Sequence, residues 1–487
     1  MKVAFLASEV IPYAKTGGLA DVAGALPKFL ARLGAEVRVF MPFYREVKAK
    51  NLPLRTVINH AAVDLAGERR DYSVLEHKGD GFSVSMIVRD EYYDRDGLYG
   101  TPAGDYPDNG ERFAFFARAA LDSMKILGFS PDIIHGHDWQ AASAFSYLKF
   151  VYADDLFFKD TRSVFTIHNL AYQGVFKKEV LAAAGLPESL FNMNDLEFFG
   201  KVNYMKGGIL YATAVTTVSP RYSREIQTPE FGCGLDGLLR SRAHALSGIL
   251  NGVDYADWDP ATDRLIPARF SPADLAGKAA SKSGLLDMFS LGKSPDAPVA
   301  GMVTRLAGQK GVDIVCDALD EIFKLGVTVV ILGTGDQKIQ DFLKDAKRKY
   351  PSRLGLMIAF DEKVAHTIYA GSDLFLIPSR YEPCGLTQMY ALKYGTVPVV
   401  RATGGLDDTI HEFDASRRSG NGFKFAAATP GALLASLGTA LDAYSRKDSW
   451  SILVRNAMTS DFSWTRSAGE YLTLYHKITD QPGPKRP

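Results

Sequence analysis

Two cations lie close together in TRLAGQKG, a segment that directly follows the apolar run PVAGMV. Arg305 and Lys310 are five positions apart on a loop between a strand and a helix, so both can approach one diphosphate from different sides. Charge-assisted hydrogen bonds of this kind stabilise the negative charge that develops on a departing phosphate. Singly, an Arg and a Lys usually belong to a solvated face, and their place at a carboxyl strand end favours the phosphate role.

A glycine-rich segment, KTGGLAD, follows the first apolar run and opens a helix that is predicted to continue to about Leu33. Gly17 and Gly18 before a helix start let backbone N–H groups approach an anion, and Lys15 adds a positive charge. Asp21 belongs to the same segment. The segment is neither GxGxxG nor a P-loop, and the alternative is a glycine-rich loop with a solvated lysine.

A third candidate site is SRYEPCGLTQ, which follows the apolar run DLFLIP. A helix that starts near Leu386 directs free N–H groups towards this end of the sheet, and Gly385 and Thr387 lie at that helix start. Glu382 would face what those donors hold, and sugar hydroxyls are natural partners for a carboxylate beside backbone amides. Cys384 has no histidine nearby in the sequence, so it is interpreted as a small turn residue and not as a nucleophile. A similar element, TGGL at 403–406, follows TVPVV.

Two further residues follow apolar runs of the second half. Gly335 belongs to the turn GTGD after VTVVIL, which fits close approach of a nucleotide and fits ordinary packing equally well. Phe360 closes GLMIAF and could stack on a base, although an aromatic at a strand end is more often part of the core.

The first half contributes HGHDW and a later FTIHN. Asp138 and Trp139 lie where a polar contact and an aromatic platform could hold a sugar. His135, His137 and His168 with Asp138 could suggest a metal site. We discount one, on the expectation that His135 and His137 point to opposite faces of their strand and that no second carboxylate completes the site.

Short apolar runs alternate with longer amphipathic stretches, a pattern that predicts parallel sheets covered by helices. Strands are predicted near 3–8, 36–41, 132–136, 162–167 and 214–218, and then at 298–303, 327–332, 355–360, 373–378 and 396–400. Residues 55–90 predict antiparallel hairpins at one edge. The pattern indicates two doubly wound α/β units joined near residue 250, with ligands at the carboxyl ends of the strands and an active site between the units.

Composition excludes several classes of protein. The 56 basic and 56 acidic residues balance, which argues against nucleic-acid binding through phosphate neutralisation. No run of 18 apolar residues is present, so we expect no membrane span. Three dispersed cysteines and the lack of a signal-peptide pattern favour a reducing, cytoplasmic environment.

Several segments together resemble the bacterial glycogen (starch) synthases. They are KTGGLADV, HGHDWQA, FTIHNLAYQG, TTVSPRYSREI, GILNGVD, SRYEPCGLTQMYALKYGT and RATGGLDDT. The match runs in order from residue 1 to about 478, and KTGGLADV combined with EPCGLTQ is highly specific.

The resemblance implies the GT-B fold, with two Rossmann-like domains facing across a deep cleft. It implies an N-terminal domain at 1–245 that carries the acceptor side, a C-terminal donor domain at 246–460, a helix at 461–480 that crosses back, and a disordered tail at 481–487. The implied reaction transfers glucose from ADP-glucose to the non-reducing end of an α-1,4-glucan, such as glycogen, with retention. The family needs no metal or organic cofactor.

The resemblance also assigns residues on the donor side. Lys15, with the loop that contains Gly17 and Gly18, matches the lysine near the donor phosphates and glucose. Arg305 and Lys310 match the pair that binds the diphosphate and stabilises the departing ADP.

The remaining assignments concern glucose, acceptor and base. Glu382 matches a glutamate near the transferred glucose, and the helix start at 385–387 contacts glucose and phosphate. Asp138, Asn251 and His168 match residues near the sugar, and Trp139 matches an acceptor platform. Phe360 stands where the family commonly has a tyrosine that stacks on adenine. The sequence leaves open double displacement and same-face attack, and the family favours the latter.

Two alternatives remain. Another GT-B enzyme that uses a different nucleotide sugar, such as UDP-glucose, would share the architecture. A non-catalytic glucan-binding protein would explain the aromatic residues and would leave Lys15, Arg305 and Lys310 without a role.

Overall fold

The computed structural model describes residues 1–292, 294 and 296–480, and the tail predicted to be disordered at 481–487 lies outside them. The chain forms two compact units. Among the described residues, unit 1 contains 1–218, 223–250 and 464–480, and unit 2 contains 219–222 and 251–463. No helix among the described residues is long and apolar enough to cross a membrane.

The described part of unit 1 contains fourteen strands, and they are β1 (Lys2–Leu6), β2 (Glu36–Pro42), β3 (Arg55–Leu65), β4 (Glu68–Lys78), β5 (Ser83–Val88), β6 (Gly100–Thr101), β7 (Gly104–Asp105), β8 (Ile133–His137), β9 (Arg162–Ile167), β10 (Val175–Phe176), β11 (Glu197–Phe198), β12 (Lys201–Asn203), β13 (Ala214–Thr217) and β14 (Leu246–Gly248). Nine of them form one sheet in the order β14-β13-β9-β8-β1-β2-β5-β4-β3. The strands from β14 to β5 are parallel, and β4 and β3 add the antiparallel edge that the sequence predicts. The order reverses between β1 and β8, which is where such sheets bind ligands.

The helices α1 to α9 lie in the first 250 residues, and they are α1 (Gly18–Arg32), α2 (Arg45–Lys48), α3 (Asp90–Tyr93), α4 (Asn109–Ile126), α5 (Asp138–Phe150), α6 (Val180–Ala183), α7 (Tyr204–Tyr211), α8 (Pro220–Glu225) and α9 (Asp236–Ser241). Helix α1 buries Leu19, Val22, Leu26 and Leu30, which recur at helical spacing and form one apolar face. A small separate sheet has the order β10-β12-β11.

Unit 2 contains a six-stranded parallel sheet built from β15 (Val299–Val303), β16 (Thr328–Leu332), β17 (Leu354–Met357), β18 (Leu374–Ile377), β19 (Val397–Arg401) and β20 (Phe423–Phe425). Its order is β17-β16-β15-β18-β19-β20, so the reversal falls between β15 and β18. The central strands are almost entirely apolar because helices cover both faces. All ten predicted strands are confirmed to within a few residues at their ends.

The later helices are α10 (Ala276–Met288), α11 (Val312–Lys324), α12 (Gln337–Lys349), α13 (Glu362–Gly371), α14 (Thr387–Lys393), α15 (Gly404–Thr409), α16 (Pro430–Ser445), α17 (Lys447–Thr459) and α18 (Trp464–Thr479). Helix α18 belongs to unit 1, where it packs against α1. Its Tyr471 and Tyr475 are fully buried. Strand β14 pairs with β13 in the unit 1 sheet, so the boundary between the units follows Leu250.

Candidate active site

A cavity of about 190 Å³ opens in unit 2 at the carboxyl ends of β15 and β18, where the strand order reverses. Its polar lining comes from Thr304, Arg305, Lys310, Ser379, Glu382 and Thr387. Four of these six residues are candidates from the sequence, and the fold brings them together from loops that are about 70 positions apart in the chain. This cavity is therefore the candidate site for a phosphorylated ligand.

An ion pair lies at the centre of this cavity. Lys310 Nζ donates to Glu382 Oε2 at 2.6 Å, and Ser379 Oγ donates to the same oxygen at 3.0 Å. The Glu382 side chain is 9% exposed and that of Lys310 is 20% exposed, so water screens the pair weakly. Lys310 thus presents a cation whose position is fixed by a carboxylate within the same site.

A second ion pair, which the sequence did not indicate, holds the two loops together. Arg380 donates to both carboxylate oxygens of Asp313, at 2.6 and 2.7 Å, and to the Gly308 carbonyl at 2.6 Å. Its backbone N–H donates to the Gln309 carbonyl at 2.8 Å. The segment that carries Lys310 is therefore attached to the segment that carries Glu382. The only sequence signal was a cation directly after an apolar strand.

Arg305 is exposed, and its Nη2 donates to Gln309 Oε1 at 3.4 Å. Among the described residues, no carboxylate lies within 4.0 Å of its guanidinium. Its charge is therefore available to an anion that enters the cavity, and the spacing from Lys310 allows both cations to act on one ligand.

The loop after Glu382 leads into α14. Gly385 and Leu386 precede this helix, Thr387 is its first residue, and no side chain caps its first N–H groups. The neighbouring TGGL segment has a different role from the predicted one, because the Gly405 N–H donates to the carbonyls of Glu382 and Pro383 at 3.1 and 3.2 Å. That helix start supports the Glu382 loop instead of facing a ligand.

The turn with Gly335 has a packing explanation. A Cβ on Gly335 would lie 2.4 Å from the Leu306 carbonyl oxygen, and the Asp336 N–H donates to that same oxygen at 2.7 Å. The structure thus favours the packing interpretation of this turn. Phe360 shows the opposite result: it lies three residues beyond β17 and is 89% exposed, so the expectation that it belongs to the core is wrong.

Asn251 and Cys384 are buried neighbours in unit 2. The Asn251 N–H hydrogen-bonds to the Cys384 thiol, and burial raises the pKa of this thiol to about 12. A neutral thiol is a poor nucleophile, in agreement with the interpretation as a turn residue. Asn251 Oδ1 is buried without a hydrogen-bond partner among the described residues, and so it keeps a polar contact available.

In unit 1 the KTGG loop follows β1 at the reversal of its sheet. Lys15 Nζ pairs with Asp21 Oδ1 at 2.7 Å. Gly17 and Gly18 are exposed, and a Cβ on either would meet no atom within 4 Å. Packing therefore gives no reason for these glycines, which is compatible with close approach of a ligand.

Glu9, which the sequence analysis missed, occupies part of the predicted anion site. Its carboxylate accepts the backbone N–H groups of Thr16 and Gly17, the Thr16 hydroxyl and the Tyr99 hydroxyl. It is 4% exposed. Because the protein supplies its own carboxylate here, the prediction that the Gly17 N–H binds a ligand anion is wrong. Lys15 and the start of α1 at Gly18, which no side chain caps, can still contact one.

The expectation that His135 and His137 point to opposite faces of their strand is wrong. Residues two apart in a strand share a face, and the rings of His135 and His137 lie 4.1 Å apart. His137 Nδ1 is 3.0 Å from His168 Nε2, and His135 Nδ1 is 2.7 Å from the Tyr475 hydroxyl. Burial lowers the pKa of all three, that of His168 to about 3, so the cluster is neutral. The described residues contain no group of three or more ligands arranged for a metal.

Asp138 begins α5 with a positive φ of 54° and accepts the His168 backbone N–H at 2.7 Å. Burial raises the pKa of this carboxyl from 3.8 to about 7, and hydrogen bonds from the backbone of His168 and Asn169 oppose that rise. Asp138 and His168 are therefore adjacent, as the sequence expects of residues that serve one site.

The raised pKa of Asp138 gives a stability prediction. Between about pH 4 and pH 7 the unfolded chain ionises this carboxyl while the folded protein keeps its proton, so stability is lost as pH rises through that window and not regained above it. Asp138→Asn removes this term. We expect the variant and the native protein to have nearly equal free energies of unfolding at pH 4. Towards pH 7 the variant should become more stable than the native protein, by up to ~1.4 kcal/mol per pH unit.

Thermal or denaturant unfolding at a series of pH values measures the difference. Asp80→Asn, at a carboxylate with 72% exposure, is the matched control and should show little pH-dependent change. A constant offset between Asp138→Asn and the native protein at every pH would contradict the raised pKa.

A second cavity, of about 640 Å³, lies in unit 1, and Trp139, Tyr172, Gln173 and Cys233 contribute to its walls. Trp139 is only 9% exposed, because its ring packs edge-on against Phe113 and Phe176. It forms part of the wall and does not present a free face. Tyr172 is 56% exposed in the same cavity, and we missed it because it lies in FTIHNLAYQG with no strand pattern around it.

Comparison with known proteins agrees with this architecture. Residues 2–241 match the family model described as the starch synthase catalytic domain, and residues 286–452 match that of glycosyl transferases group 1. The glycogen synthase of Koribacter versatilis is 47% identical over 99% of both chains, and that of Geotalea daltonii is 48% identical over 99% of this chain and all of its own. The catalytic domain of starch synthase IV from Arabidopsis thaliana, bound to ADP and acarbose, superimposes with a TM-score of 0.89 at 34% identity, covering 98% of this chain and 99% of that one.

Sucrose-phosphate synthase from Thermosynechococcus elongatus shares the fold, with a TM-score of 0.60 at 16% identity over 98% of each chain. The chain has two doubly wound α/β units, and each has candidate site residues where the strand order of its sheet reverses. This architecture is that of a glycosyltransferase of the GT-B fold. This chain belongs to the glycogen (starch) synthase family. It is a glucosyltransferase of glycogen synthesis.

Proposed function

We propose that the protein transfers glucose from ADP-glucose to the non-reducing end of an α-1,4-glucan, with retention and without a metal. The observation that carries the proposal is the unit 2 cavity, where Arg305, Lys310 and Glu382 meet at the reversal of a parallel sheet. The Arabidopsis relative, whose title names ADP and acarbose, supports a nucleotide and a glucan as ligands.

The two cations of the cavity suit a diphosphate. Arg305 has no carboxylate partner within 4.0 Å among the described residues, whereas Lys310 is held by Glu382. As the glycosidic bond breaks, negative charge grows on the departing ADP, and cations already fixed in position stabilise it without reorganising. Arg305 and Lys310 thereby take the role that a metal ion would have on the leaving group.

Glu382 is the one carboxylate among the residues that line this cavity. It already carries an ion pair with Lys310 and a hydrogen bond from Ser379, so it is better suited to orient sugar hydroxyls than to form a covalent bond to the anomeric carbon. Retention by a double displacement needs a free carboxylate nucleophile. We therefore propose attack from the same face as the leaving group.

The unit 1 cavity suits a neutral glucan. Aromatic rings are typical partners of sugar faces, and the exposed ring of Tyr172 supplies one beside the wall that Trp139 and Gln173 help to form. The balanced net charge of the chain is compatible with an uncharged polymer. In unit 2, exposed Phe360 remains a candidate for stacking on the adenine of the donor.

The donor assay tests this function. Incorporation of glucose into glycogen is measured with ADP-glucose and, separately, with UDP-glucose, and we expect kcat/KM to favour ADP-glucose at least tenfold. A preference for UDP-glucose would overturn the donor assignment. Binding of glycogen with no transfer from either donor would indicate a glucan-binding protein instead.

A further inference from the structure

The short hairpin between β11 and β12 has an unusual residue at its tip. Phe198 pairs with Lys201, so Phe199 and Gly200 are the two loop residues. Their φ angles are both positive, at 49° and 75°. Turns with two positive φ values favour Asn, Asp or Gly at the first position, since a bulky side chain is strained there. Phe199 nevertheless occupies it and is 83% exposed. The fold therefore tolerates a strained and exposed aromatic ring, and such a position is a candidate for function.

The same hairpin is continuous with the wall of the unit 1 cavity. Strand β12 pairs with β11 on one side and with β10 on the other, and β10 lines the cavity. Asn203 of β12 donates to Gln173 at 2.7 Å, and Gln173 donates to the Cys233 carbonyl at 3.0 Å. Both of these partners line the cavity.

The ring of Phe199 lies beside the segment that carries Cys233 of the cavity wall. It packs edge-on against Phe198, with centroids 4.7 Å apart. A Cβ on Gly234 would come within 3.0 Å of the Phe198 ring and 3.3 Å of the Phe199 ring, so both rings lie against the residue that follows Cys233 of the cavity wall. The two aromatic rings at the tip of the hairpin therefore adjoin the chain segment that forms the cavity wall at Cys233.

The hairpin is also held in place. Lys206, which is 8% exposed, donates from Nζ to the carbonyls of Met193 and Glu197 at 2.7 Å each. Glu197 accepts the Gly200 N–H at 2.7 Å. A platform that is fixed before binding loses little conformational entropy when a ligand stacks on it.

We propose that Phe199 is an aromatic platform for the α-glucan acceptor outside the unit 1 cavity, and that it gives the enzyme a preference for long acceptor chains. The proposal rests on the glucan-binding role proposed for that cavity. The occupant is an α-1,4-glucan, because the platform continues the cavity wall and a neutral sugar face packs on an aromatic ring without charged partners. Short oligosaccharides fill the cavity alone, and longer chains reach Phe199.

Phe199→Asn tests the proposal, because Asn is favoured at this turn position and should leave the fold at least as stable. We expect KM for glycogen to rise roughly three- to tenfold, while KM for maltotriose, KM for ADP-glucose and kcat stay unchanged. Phe199→Tyr should behave as the native protein does. Leu156→Asn, at an apolar side chain with 81% exposure elsewhere in unit 1, should have no effect.

Affinity electrophoresis in glycogen without a donor measures the same loss independently of catalysis, so it tests the platform even if the donor assignment fails. Unchanged glycogen affinity in Phe199→Asn would overturn the proposal. An equal rise in KM for maltotriose would do the same, since it would indicate damage to the cavity. Light scattering measures the molecular mass of Phe199→Asn and of the native protein in solution. A lower mass for the variant would show that the ring serves self-association and would overturn the proposal, whereas an equal mass supports the platform.

Discussion

Lys310→Ala is expected to lower kcat for glucosyl transfer by roughly two to three orders of magnitude, the cost of removing one fixed electrostatic stabiliser from a reaction centre. Lys310 is held 2.6 Å from Glu382 at the candidate diphosphate site, so its charge acts on the leaving group without rearrangement. Its interaction strengthens as charge develops on ADP, and therefore KM for the donor should change much less than kcat.

Glu382 accepts hydrogen bonds from the side chains of Lys310 and Ser379, and only the one from Ser379 remains in this variant. The lost partner should reduce the free energy of unfolding by no more than ~3 kcal/mol. Circular dichroism and thermal unfolding check that the variant is folded. Lys324→Ala removes an exposed lysine of α11 that also pairs with a glutamate, and it should keep native turnover. Turnover within a factor of two or three of native in Lys310→Ala would rule out the proposed role.

Gly404→Ala should have the largest effect on stability. Gly404 has a φ of 45°, and an added Cβ would lie 2.0 Å from the Glu382 carbonyl oxygen and 2.9 Å from its carbon. The left-handed conformation costs alanine ~1–2 kcal/mol, and the displaced loop adds a similar amount, so we expect a total near 3 kcal/mol. The loop that must move carries Glu382, and kcat should therefore fall by more than tenfold as well.

Gly438→Ala is the matched control for this substitution. Gly438 lies inside α16, where an added Cβ meets no atom within 4 Å. Alanine is the better helix former by ~1 kcal/mol, so this variant should be slightly more stable than the native protein and fully active. Denaturant unfolding and the donor assay measure both variants. A Gly404→Ala protein with native stability would show that the contact between the TGGL segment and the Glu382 loop is looser than the structure has it.

Much of the unit 2 site was predictable because it depends on topology. Carboxyl ends of parallel strands meet at one edge of a sheet, and so Arg305, Lys310, Glu382 and Thr387 could be grouped before any coordinates were known. The strands themselves were predictable from apolar runs with β-branched residues. These signals are local in the sequence. Parallel pairing of the strands then brings the residues that follow them to one edge of the sheet, where they form a site.

Other features depend on contacts that spacing does not encode. The pairing of Arg380 with Asp313 joins residues 67 positions apart, and Glu9 lies in a loop whose bend alone brings it to the N–H groups of Thr16 and Gly17. The exposure of Phe360 depends on β17 ending at Met357. In contrast, the shared face of His135 and His137 follows from the two-residue period of a strand, so that error was avoidable.

The return of α18 to unit 1 affects the order in which the chain can fold during synthesis. Domains usually fold in the order in which the ribosome releases them. Here Tyr471 and Tyr475 fill the interior of the unit that contains β1, and Tyr475 contacts His135 across 340 positions. Unit 1 therefore keeps an unfilled groove until α18 has been synthesised. Unit 2, which lies between residues 251 and 463 apart from a four-residue segment, can fold before that point.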